Sequence, residues 1–289
     1  MMKAFLLLLI TLSAHANPGV SWSIYGDDDR IEAARVTPAQ KKLADSSAAL
    51  IIDSFLVKKG NKYKIDAPTL EQQDGVCQKE RFRDQPAAAL CSGTLIGDDL
   101  ILTASHCYDN SSICKNASWI FGFEVDPKNR YEISQDEIYR CKEVVFQKFD
   151  LTNGNDFAIV RLDRKVKNHS PVKIRQQNSS LPMGTGLFTI GHPRGLPTKV
   201  AANGEVLSVE NNVMMTNLDS FTGNSGSGVF HSATNELIGV LSYGKEDYDE
   251  DQDNVCSFSH IYLLQEGGEA VMGIGPVRDF LKAQQNTRP

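Results

Sequence analysis

Three stretches of this 289-residue chain hold side chains that could make and break acyl bonds. Leu102-Thr103-Ala104-Ser105-His106-Cys107 ends an apolar run on a histidine. Asn155-Asp156-Phe157-Ala158-Ile159-Val160-Arg161-Leu162 sets an acid immediately before one. Asp219-Ser220-Phe221-Thr222-Gly223-Asn224-Ser225-Gly226-Ser227-Gly228 places Ser225 in a turn dense with glycines and small hydroxyls. The chemistry that joins such groups is nucleophilic. A serine hydroxyl attacks poorly until a base takes its proton, and a neutral imidazole is the base matched to neutral pH. A buried carboxylate fixes the tautomer of that ring and stabilises the imidazolium that forms. Taken singly, each stretch has a plainer reading: a surface or core histidine, a solvated acid like Asp150 or Asp163, an ordinary Gly/Ser loop.

All three occur together and in this order, with Cys91-Ser92-Gly93-Thr94-Leu95-Ile96 ahead of the histidine. In that combination they resemble the His, Asp and Ser motifs of the trypsin-like serine peptidases, over a stretch from about Ile24 to Leu281. Within that clan, Ile24-Tyr25-Gly26-Asp27-Asp28-Asp29-Arg30 and Val277-Arg278-Asp279-Phe280-Leu281 are similar to the N-terminal segment and closing helix of secreted bacterial glutamyl endopeptidases. The resemblance implies Ser225 as nucleophile, His106 as proton shuttle and Asp156 as its orienter. It implies an oxyanion hole from the backbone N–H groups of Gly223 and Ser225, and a Cys91–Cys107 disulfide closing the histidine loop. It also implies a primary pocket bounded by Asp219, Ser220, Ser242, Tyr243 and Gly244. Asp219, six residues before the nucleophile, falls at the pocket floor, where a carboxylate would favour Arg or Lys in the substrate. Its other reading is an acid hydrogen-bonded to loop amides and turned away from the pocket.

The chain departs from the family pattern in two places. Asn224 stands where trypsin-type zymogens carry the Asp that pairs with a newly freed N-terminal amine, so that ion pair has no counterpart. The pocket histidine of the glutamyl enzymes is also missing, since Leu241-Ser242-Tyr243-Gly244 holds none. An α/β-hydrolase elbow is excluded because Ser227 breaks Gly-x-Ser-x-Gly. The function expected is a secreted serine endopeptidase. The reading from another class is a catalytically silent homologue acting as a binding or adhesion module; such homologues usually lose a triad residue, and this chain keeps all three.

The elements that must carry these groups read as strands. Short β-type runs separated by turn residues cover 48–57, 92–96, 100–103, 119–125, 144–149, 157–162, 186–191, 206–209, 213–217, 228–230, 237–242 and 270–274. Many short strands with few helices argue for an all-β sandwich or barrel. The family resemblance implies the chymotrypsin-like form, two six-stranded antiparallel β-barrels. One helix is expected at about 276–285, opened by Pro276 with Val277, Phe280 and Leu281 on its apolar face.

Composition bounds the rest. Apolar residues make up 41% of the chain and there are 22 glycines, enough for a large core, so disorder, collagen and coiled coil are excluded. Thirty basic against 36 acidic side chains give a net charge of −6, and no basic cluster exceeds two residues, which argues against nucleic acid. Ala4 to Leu12 is too short to cross a bilayer, which needs about 20 residues. With Lys3 before it and Ala14-His15-Ala16 after it, the run reads as a secretory signal peptide over 1–16, leaving a catalytic domain over 17–289. A short propeptide would fall in 17–22, and the product would be secreted or periplasmic, without a membrane anchor, acting on proteins or peptides as a monomer. Six cysteines in an oxidising compartment suggest disulfides. After Cys91 and Cys107, the remaining four allow three pairings, of which Cys114–Cys141 with Cys77–Cys256 is favoured because the first pair lies in one continuous stretch. No metal or cofactor is expected. Glu246 to Asp253 packs six acids into eight residues. It reads as a solvated acidic loop, which the family resemblance places beside the pocket entrance; the other readings are attraction of basic substrates and a calcium site, the latter without the EF-hand glycine.

Overall fold

The structure, a computed structural model, describes residues 23–109, 112–125, 131–177 and 180–286. The expected leader and propeptide lie outside the described residues. Six strands build the first barrel: Ser47–Ile52 (β1), Ala89–Gly97 (β2), Leu100–Thr103 (β3), Ala117–Phe121 (β4), Ile138–Asp150 (β5) and Asn155–Leu162 (β6). They pair antiparallel in the order β5–β6–β3–β2–β1–β4, and β4 returns to β5 to close the barrel. The second barrel is built from Gly186–Gly191 (β7), Lys199–Glu210 (β8), Val213–Thr216 (β9), Gly228–His231 (β10), Leu237–Tyr243 (β11) and Glu269–Gly273 (β12). Its order is β7–β10–β11–β12–β9–β8, closed by β8 pairing with β7. The double β-barrel expected from the sequence is present.

The continuous apolar run of β6 explains how the barrels meet. Side chains alternate across a strand. Ala158 and Val160 point into the first barrel with Leu50, Leu95, Ile101, Trp119 and Phe121. Phe157 and Ile159 point the other way, into a core shared with Phe188, Ile190, Phe230, Val240 and Met272 of the second barrel. A strand buried on both faces has no polar alternation, which is why the run reads as uninterrupted. The C-terminal helix, Gly275–Asn286, seals this core with its expected face: Val277 is buried, Phe280 and Leu281 pack beside it, and the Phe280 ring lies 4.7 Å from that of Phe146 on β5.

Several boundaries differ from expectation. The run 48–57 breaks at Ile52 into a turn over Asp53–Phe55, and Leu56–Lys59 then pairs outside the barrel with Lys62–Ile65. Strand β4 stops at Phe121, before the left-handed Gly122. Strands β5 and β8 extend well beyond their apolar centres. Helices at Pro38–Ala44 and Leu70–Asp74 were not expected, although each opens on a threonine capping box, with Gln40 and Gln72 as reciprocal partners. The acidic run is not a loop: Tyr248–Asp251 pairs with Cys256–Ser259 as a hairpin. Disulfides join Cys91–Cys107, Cys114–Cys141 and Cys77–Cys256, the last tying that hairpin to the segment after Leu70–Asp74.

Packing inside the first barrel leaves no room at Gly93. A Cβ there would stand 2.6 Å from both Ile101 and the Trp119 ring. Gly93→Ala is therefore expected to cost about 1–3 kcal/mol of stability, as overpacked cores do. A urea midpoint equal to that of the unmodified protein would contradict this account of the core.

Candidate active site

His106 sits in the short turn Ser105–Tyr108 that follows β3. Four contacts fix the turn. Cys107 is bonded to Cys91 on β2. The fully buried Trp119 donates its indole N–H to the Tyr108 hydroxyl at 2.9 Å. The Gln147 amide donates to the carbonyls of Ser105 and Tyr108. The His106 backbone N–H donates to Asp156 Oδ1 at 3.0 Å. Asp156 enters as the second residue of β6, and its Oδ2 lies 2.7 Å from His106 Nδ1. Ser242, at the end of β11, donates its hydroxyl to the same oxygen at 2.5 Å.

Asp156 is fully buried. Burial alone pushes its carboxyl up, but hydrogen bonds from His106 and Ser242 outweigh burial and hold it below the usual carboxylate range. An ionised carboxylate accepts only, so His106 Nδ1 carries a proton, and in the neutral ring Nε2 keeps its lone pair. That is the tautomer a base requires.

Ser225 stands on the other barrel, before β10, and shares one cleft with His106 and Asp156. Its hydroxyl donates to the Ser242 carbonyl at 3.3 Å. The turn that carries it is locked by close backbone approaches. Gly223 has a φ of +93°, and a Cβ there would lie 2.8 Å from the His192 carbonyl. At Gly226, with a φ of +88°, a Cβ would meet the Ser92 carbonyl at 2.1 Å. Ser92 on β2 reaches across from the first barrel. Its N–H donates to the Ser225 carbonyl at 2.9 Å, its hydroxyl donates to the Gly223 carbonyl at 2.9 Å, and its Oγ accepts from His192 N–H at 2.9 Å. Asn224 closes on its own turn: its amide faces Ser220 Oγ and its Oδ1 accepts from Ser227. The N–H groups of Gly223 and Ser225 donate to no other group among the described residues.

The cleft encloses about 410 Å³. Ser220, Ser242, Tyr243 and Gly244 line it, whereas Asp219 does not. The Asp219 carboxylate is taken up by the N-terminal segment: Oδ1 accepts from Tyr25 N–H and Oδ2 from Asp29 N–H, both at 2.8 Å. Burial, then the charge of Asp29, pushes it up to about 8 against those two bonds. This corrects the expectation of a pocket-floor acid at 219.

Beside Asp156 and Asp247, a third acid lines the cleft: Glu269, the first residue of β12, which is buried. It accepts from the Tyr25 hydroxyl at 3.3 Å, from Lys245 N–H at 3.3 Å and from Ser220. Its carboxylate lies against the backbone of Gly244, where a Cβ would meet Oε2 at 2.1 Å. Burial, reinforced by the charge of Asp247, pushes Glu269 up to about 8. Sequence reasoning passed over this residue, yet Gly267-Gly268-Glu269-Ala270-Val271-Met272 carried a signal: a lone acid at the mouth of an apolar strand. Of the six acids in 246–253 only Asp247 lines the cleft. Asp249 lies 3.3 Å from His260, and Asp251 caps the turn to Asn254, so the run does not converge on one point.

Comparison with known proteins agrees with this geometry. A family model described as Trypsin matches residues 71–261, more than half of the chain and all three candidate catalytic positions. Snake venom serine protease 3 of Protobothrops jerdonii is 31% identical over 115 residues, 38% of this chain and 41% of that relative, so the match spans less than half of the relative's length. Three solved structures share the fold. A protein solved at atomic resolution as HBP is 13% identical with a TM-score of 0.56, covering 92% of this chain and 98% of its own. The VesB protease of Vibrio cholerae is 16% identical with a TM-score of 0.55, covering 89% and 67%. A Glu endopeptidase in complex with MPD is 18% identical with a TM-score of 0.53, covering 91% and 100%. From the matched family model and the twin barrels that bring His106, Asp156 and Ser225 to one cleft, the chain belongs to the trypsin family.

Proposed function

We propose that this protein is an exported serine endopeptidase that cleaves peptide bonds through Ser225, His106 and Asp156. The observation that carries the reading is the 2.7 Å bond from His106 to a buried, ionised Asp156 in the same cleft as Ser225. Ser225 attacks the scissile carbonyl as His106 Nε2 takes its proton. The N–H groups of Gly223 and Ser225 receive the oxyanion. His106 then delivers the proton to the leaving amine, and water repeats the sequence on the acyl-enzyme. Attack requires the Ser225 hydroxyl to exchange the Ser242 carbonyl for His106. Export is supported by three disulfides, which persist in oxidising compartments. Among the described residues no helix is long and apolar enough to cross a membrane.

For the substrate, we infer a basic side chain before the scissile bond, received by Glu269. The other charged groups at this end of the cleft are already engaged: Asp247 is paired with Arg194, and the Lys245 ammonium lies 4.1 Å over the Tyr262 ring. Glu269 is neutral below about pH 8 and ionised above it. Preference for a cation therefore grows as pH rises through that value.

Labelling with a phosphonofluoridate should modify Ser225 alone among the serines. Ser225→Ala should lower kcat by about 10⁴-fold or more, and Asp156→Asn, which permits the wrong tautomer, by about 10⁴-fold. A folded protein that forms no adduct at Ser225 would leave the silent binding module as the better reading.

Selectivity has its own test. The ratio of kcat/KM for an Arg ester to that for a Leu ester should rise about tenfold or more between about pH 6.5 and 9, because both substrates share His106 and only one senses Glu269. Glu269→Gln should flatten that profile, while Asp219→Asn should leave its shape intact. A flat profile in the unmodified enzyme, or a preference for Glu esters, would sink the assignment.

A further inference from the structure

The two peptides that flank Thr222 are each held by a group other than His106, Asp156 and Ser225. Thr222 N–H donates to both carboxylate oxygens of Asp247 at 3.0 Å. The Thr222 carbonyl accepts from Arg194 N–H at 2.6 Å. The Arg194 guanidinium joins the two sides: Nη1 is 2.8 Å from Asp247, while Nε and Nη2 form a fork to Asp74 at 2.8 and 2.6 Å. All three side chains are largely shielded, at 20% exposure for Arg194, 7% for Asp74 and 8% for Asp247. Arg194 also holds a φ of +53°, a left-handed backbone that a non-glycine residue adopts only when its surroundings impose it.

The consequence follows from peptide geometry. In a trans peptide the C=O and the following N–H point in opposite directions. Anchoring the Thr222 carbonyl on Arg194 therefore turns the Gly223 N–H away from Arg194 and leaves it free for a ligand. A flip of this peptide would break the Arg194 bond and remove a donor from the oxyanion hole. Asn224 offers no carboxylate for a chain-terminal amine, so this turn must be set by something else. Asp74, Arg194 and Asp247 form an ion triad drawn from separate segments: Asp74 ends one short helix, Arg194 follows β7, and Asp247 opens the hairpin stapled to the Asp74 segment by Cys77–Cys256.

We propose that the Asp74–Arg194–Asp247 ion triad is a positioning device that locks the Thr222–Gly223 peptide so that the Gly223 N–H faces the developing oxyanion. The proposal rests on the peptidase reading above. Neither Arg194 nor Asp74 touches substrate in it; both act through the backbone of the turn.

The test uses the full mature chain and three variants. Arg194→Met removes the charge and keeps the stem, Arg194→Lys keeps one charge but not the fork, and Asp74→Asn weakens only the outer partner. Two readouts are taken on protein whose thermal midpoint shows it folded: ester hydrolysis, split into kcat and KM, and hydrogen exchange at the Thr222 amide. Arg194→Met should lower kcat about 10²–10³-fold, the cost of one oxyanion donor, with KM within about threefold. It should speed exchange at Thr222 about tenfold or more, because Asp247 loses the group that holds it in place. Arg194→Lys should recover about tenfold of the lost kcat. If Arg194→Met does not fold, Asp74→Asn should show both changes on a smaller scale. Unchanged exchange in a folded variant overturns the proposal, and so does faster exchange with kcat intact. If the unmodified protein forms no adduct at Ser225, the peptidase reading fails by itself, and the exchange measurement still decides whether the triad holds the turn.

Discussion

The angle at which the two barrels dock is the constraint on which this site depends, because His106 and Asp156 ride on one barrel and Ser225 on the other. Apolar contact between Phe157 and Ile159 and the second barrel supplies cohesion, but burial of oily surface is non-directional. Register comes from the polar bridges. Ser242 reaches from the second barrel to Asp156, and Ser92 reaches from the first to Gly223, Ser225 and His192. Ser92 and Asp156 have no solvent exposure and Ser242 almost none, so a shift of either barrel would leave a buried polar group unpaired at a cost of about 1–3 kcal/mol. The same bonds that make the site therefore make any other docking angle expensive.

Buried acids in and around the cleft show how environment assigns work to one side-chain type. Asp156 receives three donors and stays ionised, which suits the role proposed for it beside His106. Asp247 is raised by burial but paired with Arg194 and Thr222, which suits a strut. Asp219 and Glu269 are both pushed up to about 8, yet the first is spent on backbone amides and the second faces the cleft. Counting acids near the nucleophile could not separate these cases; the hydrogen-bond donors around each carboxylate do.

Much of this was legible in the chain. The His, Asp and Ser stretches pointed to the three residues that share the cleft because each embeds its candidate residue in a local pattern: an apolar strand before His106, an apolar strand after Asp156, and glycines around Ser225. The sealing helix announced its face through Val277, Phe280 and Leu281. The roles of Ser92, Arg194 and Glu269 were not legible, because each depends on a partner far along the chain, such as Gly223 for Ser92 and Asp74 for Arg194. Asp219 was placed by its distance from the nucleophile in sequence. That distance fixes its height in the turn but not the direction of its side chain, which was settled by Tyr25 and Asp29, almost 200 residues away.

That contact gives the N-terminal segment a structural meaning. Ile24–Tyr25 pairs in parallel with Ile261–Tyr262, a two-residue strand too short to hold by its ladder alone. Side chains and neighbouring backbone secure it. Ser220 N–H donates to the Ser23 carbonyl, and Tyr25 joins Asp219 through its amide and Glu269 through its hydroxyl. Arg30, at 2% exposure, forks onto Asp28 and stacks 4.0 Å over the Phe221 ring beside the nucleophile turn. The segment thus underlies the pocket from Glu269 to Phe221. Residues 23–30 dock beneath the pocket through hydrogen bonds to Asp219, Ser220 and Glu269, while Asn224 turns its amide onto its own turn.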